Sequence, residues 1–101
     1  MTTPAAGNWQ GRLGEKVPEL MKNVNNLREG VMKEGALSVK TKTLMMMLGD
    51  ALLGHGEGVA NISRRARELG ASEDEIAETV AVAFMMGGMP GLVTGANAFR
   101  D

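Results

Sequence analysis

From Glu15 onward, apolar residues recur at steps of three and four: Val17, Leu20, Met21, Val24, Leu27, Val31 and Met32. That spacing is one face of an α-helix. Pro18 falls in its first turn, where a missing N–H costs nothing. Gly30 weakens its last turn, and Gly35 is the expected stop. Ser38 is placed to cap a second helix. Leu44-Met45-Met46-Met47-Leu48 and Ala51-Leu52-Leu53 make this helix apolar almost all round, and such a helix is expected to be buried on every side. Gly54-His55-Gly56 breaks it. A third helix runs from about Glu57 to Leu69, with Val59, Ile62, Ala66 and Leu69 on one face and Arg64, Arg65, Arg67 and Glu68 on the other. Gly70 is its left-handed stop. Ser72 and Glu75 form a capping box for a fourth helix, whose inward face is Ile76, Val80, Ala83 and Phe84. Pro90 opens a last helix of small residues, from Leu92 to about Phe99.

No stretch alternates with the period of a strand and nothing repeats, so the fold class is all-α, with about five helices. Residues 1–14 carry Pro4, Gly7, Gly11 and Gly14. They are expected to form a loose N-terminal arm anchored by Trp9, followed by a single helical domain over residues 15–101. Thr79 to Phe99 is uncharged and long enough to span a bilayer. Gly87-Gly88-Met89-Pro90-Gly91 interrupts its middle, so two buried helices are expected there and no membrane span.

With 101 residues the chain has room for one domain at most. Its 11 Lys and Arg nearly balance its 12 Asp and Glu, and no basic patch points to nucleic acid. The N-terminus lacks the basic and apolar segments of a signal peptide, and a cytoplasmic location is expected. The absence of cysteine removes disulfides, thiolate metal sites and thiol catalysis together. The methionine clusters, Met45 to Met47 and Met85, Met86 and Met89, have the softness that suits Cu(I). They read more simply as adaptable core or interface filler, so neither metal nor cofactor is expected. Two helices apolar on more than one face are too much for one small core to hide, and large exposed apolar patches mark interfaces. An obligate homo-oligomer follows.

Three blocks occur in a telling order: Leu37-Ser38-Val39-Lys40-Thr41-Lys42, then Arg64 to Ile76, then Met86-Gly87-Gly88-Met89-Pro90. Together they resemble the carboxymuconolactone decarboxylase and alkylhydroperoxidase D family over roughly residues 37–98. The resemblance implies a central antiparallel helix pair, a pocket between the second, third and fourth helices, and a hexamer built as a trimer of dimers. It also implies peroxidase-type or lyase-type activity on a small molecule. The peroxidase branch uses a glutamate, a Cys-x-x-Cys pair and a histidine. Counted back without gaps from Arg64, these positions hold Thr43, His55, Gly58 and Ile62. None of the four is kept, so thiol peroxidase activity is not expected. The decarboxylase branch places its histidine where Ile62 stands. A one-residue gap would align Glu57-Gly58 with a Glu-Gly of other cysteine-free members.

His55 and Glu57 remain as the candidate catalytic residues. One reading makes them an acid/base pair, with Glu57 orienting the imidazole. The other makes His55 a turn residue and Glu57 a favourable charge at a helix N-terminus. A polar pocket containing both would favour an enzyme. A dry pocket filled by Met and Leu would favour a non-catalytic ligand-binding or assembly subunit. A partner protein supplying the missing cysteines is a third arrangement.

Overall fold

The computed structural model describes residues 8–100. The chain divides into two compact units, Met1–Lys33 and Glu34–Asp101, whereas the sequence pattern places the boundary near residue 14. The expectation for residues 1–7 lies outside the described residues. Residues 9–14, expected in the loose arm, are helical.

In the first unit, α1 spans Trp9–Lys16 and α2 spans Pro18–Val31. The glycines of α1 are outweighed by a cap at Asn8. Asn8 has extended backbone, and its side-chain oxygen accepts the Gly11 N–H at 2.7 Å. Val17 separates the two helices, and Pro18 starts α2 as expected. The Arg28 guanidinium lies 5.8 Å from the centre of the Trp9 ring. This cation–π contact ties α1 to α2 with about 0.5–1 kcal/mol for an exposed pair.

In the second unit, α3 spans Val39–Leu53, α4 Gly56–Glu68 and α5 Glu73–Gly95, followed by a 3-10 helix, Ala96–Phe99. Its boundaries follow the local chemistry. Ser38 caps α3 by accepting the Thr41 N–H, and Gly54 ends it with φ 80°. Both arms of the Ser72–Glu75 box are present: Glu75 donates its N–H to Ser72 Oγ, and the Ser72 N–H reaches Glu75 Oε1 at 2.8 Å. The Gly-Pro break is a kink rather than a gap. Gly88 takes φ 60° and ψ −154°, a region open essentially to glycine alone, and Pro90 lies within the same element.

The tight turn at Gly54 and His55 sends α4 back antiparallel to α3. Lys40 pairs with Glu75 at 3.0 Å at one end of α3, while Leu52 sits against Gly87 at the other. Helices α3 and α5 therefore run side by side in the same direction. Met47, Ala51, Val59, Ala66, Ile76, Val80, Ala83 and Ala98 form the core, with Leu44, Leu48, Ile62 and Leu92 packed against it. Phe84, expected inside, is exposed. The sequence reading also expected α3 to be buried all round. In the single chain it buries only Thr43, Met47 and Ala51, and Met45, Met46, Leu52 and Leu53 remain exposed.

Candidate functional site

The turn from α3 to α4 places His55 over the end of α3. With Gly54 left-handed, the His55 N–H reaches the Asp50 carbonyl at 2.9 Å, and its Nδ1 lies 3.0 Å from Asp50 Oδ1. A carboxylate only accepts, so the bond requires a proton on Nδ1. In the neutral imidazole Nε2 is then the free base. Asp50 thus fixes the ring's position through the main chain and its tautomer through the side chain. The imidazole itself stays open, with a side chain 59% exposed against 21% for Asp50.

Glu57 does not orient His55. Its carboxylate accepts from Arg100 Nη2 at 2.6 Å, and that hydrogen bond and charge hold its pKa below the ordinary glutamate value. The two candidate residues are sequence neighbours with separate partners. Asp50, not singled out in the sequence, is the carboxylate bonded to His55. A signal for it did exist. An acidic residue near the C-terminal end of a helix opposes the helix dipole, and so calls for a partner across the following turn.

Thr43 is buried and donates its hydroxyl to the Val39 carbonyl of its own helix at 2.8 Å. Ile62 packs on the core. At Gly58 a Cβ would overlap the Asp50 carboxylate, so that carboxylate occupies the space a side chain at position 58 would need. What stands there is a His–Asp pair suited to proton transfer, in place of a dithiol. Among the described residues, no group of three or more His, Asp or Glu side chains is arranged to hold a metal.

The 3-10 helix lies along α4. Asn97 sits against Gly56, Arg67 donates to the Ala98 carbonyl at 2.8 Å, and Arg100 holds Glu57. On the outer side of α3 and α5, Thr41, Leu44, Met45, Leu48, Thr79 and Val82 line an open, largely apolar groove of about 240 Å³. Neither His55 nor Glu57 contributes to it.

The chain is similar to known proteins over most of its length. An uncharacterized protein of the archaeon Methanocaldococcus jannaschii is 28% identical over 84 residues, covering 83% of this chain and 78% of that protein. The crystal structure of a carboxymuconolactone decarboxylase family protein from Legionella pneumophila superposes with a TM-score of 0.81 at 32% identity, covering 86% of this chain and 78% of that one. The model of the carboxymuconolactone decarboxylase family matches residues 18–101. This chain belongs to the carboxymuconolactone decarboxylase family.

Proposed function

We propose that this protein is a soluble, cytoplasmic homo-oligomer that acts on a small molecule by acid–base chemistry of the lyase kind, without thiol redox. The observation that carries the reading is the 3.0 Å bond from His55 Nδ1 to Asp50, at the register where the family's peroxidase branch has its first cysteine. An imidazole fixed in one tautomer moves a proton through Nε2, and the imidazolium so formed is stabilised by the carboxylate behind it. Peroxidase-type activity would need a thiolate to attack and a second thiol to resolve the sulfenic acid, and the chain has neither. The oligomer is supported by the apolar surface of α3 and α5. Its number, six, comes from family likeness.

Release of carbon dioxide from small carboxylated lactones tests this reading, with peroxide consumption under a dithiol reductant as the second arm. The expected result is turnover in the first arm that His55→Ala lowers by about 10²–10⁴-fold, and none in the second. Equal rates in His55→Ala and the parent protein would overturn it, as would thiol-dependent peroxide turnover that survives chelation of metals.

A second reading, a non-catalytic ligand-binding or assembly subunit, is favoured by the groove. Its lining is dominated by Leu44, Met45, Leu48 and Val82, and it lacks His55 and Glu57. Saturable binding of an apolar ligand that Leu48→Asn weakens and His55→Ala leaves unchanged would favour it over the enzyme.

A further inference from the structure

On α3, residues Thr41, Met45, Leu48 and Leu52 lie at helical spacing along one outer stripe. On α5, Thr79, Val82 and Met86 form a second. Because the helices run in the same direction, with Lys40 beside Glu75 and Leu52 against Gly87, the stripes adjoin along their length. The face they make has two unlike halves. Its first half holds the concave groove of Thr41, Leu44, Met45, Leu48, Thr79 and Val82. Its second half carries Met86, 83% exposed, with Met85 and Met89 at its margin, 78% and 59% exposed.

We propose that this face is the contact surface between two copies of the chain, with Met86 of each copy seated in the groove of the other. The proposal rests on the oligomer reading above and adds the surface and the occupant. A hollow at one end and a projecting side chain at the other make the face self-complementary under a two-fold axis, which brings both matches about at once. Methionine suits the role, since its unbranched side chain fills irregular apolar hollows. The approaching surface is mostly uncharged, with the exposed Glu78 one helical turn before Val82. Leu44 to Gly49 and Thr79 to Phe99 are uncharged, and the Lys40–Glu75 pair at the groove end is already neutralised. Met45, Leu52, Val82, Met85, Met86 and Met89, all exposed, are the large apolar side chains this face offers toward the roughly 800 Å² per partner that a stable interface buries.

The test is the mass of the full chain by light scattering at low micromolar concentration, for the parent protein and for Val82→Glu and Met86→Glu. The expected result is an oligomeric parent and variants whose mass drops by about half or more, with helical circular dichroism retained. An oligomeric parent whose variants keep its mass overturns this surface while leaving the oligomer standing. A monomeric parent overturns both, and one that floats with lipid vesicles would assign the face to a membrane instead. If the glutamate variants do not fold, Met86→Cys decides, since it supplies the chain's only thiol. Slow labelling in the native oligomer and fast labelling after unfolding support the contact, and fast labelling in the native oligomer overturns it.

Discussion

Asp50 stands near the end of α3, where the helix carbonyls already concentrate negative charge. It is held there by His55, through the ring at 3.0 Å and through the main chain at 2.9 Å. Gly58 belongs to the same arrangement, because a side chain there would displace the carboxylate. Gly58→Ala is therefore expected to separate Asp50 from His55 and to lower any His55-dependent rate as Asp50→Asn does. Both should fall less than His55→Ala, since they leave the imidazole in place. The measurement is turnover of the three variants against the parent, and full activity in Gly58→Ala would show that Asp50 positions nothing. His55 was legible in the sequence as the chain's single histidine, lying in a glycine turn. Its partner was not, because Glu57 is nearer in sequence, and only the left-handed turn at Gly54 folds His55 back onto Asp50.

Most elements were legible because their ends carry local chemistry. Ser38, Gly54, Gly70 and the Ser72–Glu75 box each act within a few residues of themselves, so spacing alone locates them. Helix α1 is not legible from spacing, because Gly11 and Gly14 lie within it and its signal is the single cap at Asn8. Ser72→Ala removes the side chain that receives the Glu75 N–H and should cost about 0.5–2 kcal/mol. For a domain of this size each kcal/mol lowers the melting temperature by roughly 4–8 °C, and a thermal melt measures it. Gly88→Ala forces a Cβ onto a glycine-only conformation and should cost about 1–3 kcal/mol, read in the same way. An unchanged melting temperature would show that the kink relaxes without strain. The caps also set the response to acid. Glu75 has its pKa lowered by the Ser72 N–H and by Lys40, and Glu73 by Arg67. A carboxylate whose pKa is depressed on folding contributes stability that is present above its unfolded value and lost as pH falls through the folded one. Stability should thus be insensitive to these groups near neutrality and decline below the ordinary glutamate value of 4.5. Denaturant midpoints between pH 7 and 3 would show it, with a shallower decline in Glu75→Gln.

For the whole molecule the decisive quantity is the apolar surface that one chain leaves uncovered. The core of the second unit is built largely from small residues, Ala51, Ala66, Ala71, Ala83 and Ala98 among them. The larger Met45, Leu52, Leu53, Met85, Met86 and Met89 lie outside it. A conventional monomer would place its large side chains inside. Covering those outside is worth about 1.5–3 kcal/mol each when complete, comparable in sum with the 5–15 kcal/mol that holds a typical domain folded. The segment Glu73–Phe99 is apolar and long enough to cross a bilayer by composition, and Ile76, Val80 and Ala83 on it are core residues. The formal net charge of −1 offers little repulsion between copies. If association supplies a large share of the stability, folding and assembly are linked by mass action. The melting temperature should then rise with protein concentration, and Met86→Glu should both lower it and flatten its concentration dependence. Melts over a hundredfold range of concentration measure this. A parent protein with monomeric mass and one melting temperature throughout would mean that the α3 and α5 faces are stable in water, and the oligomer would have to be abandoned.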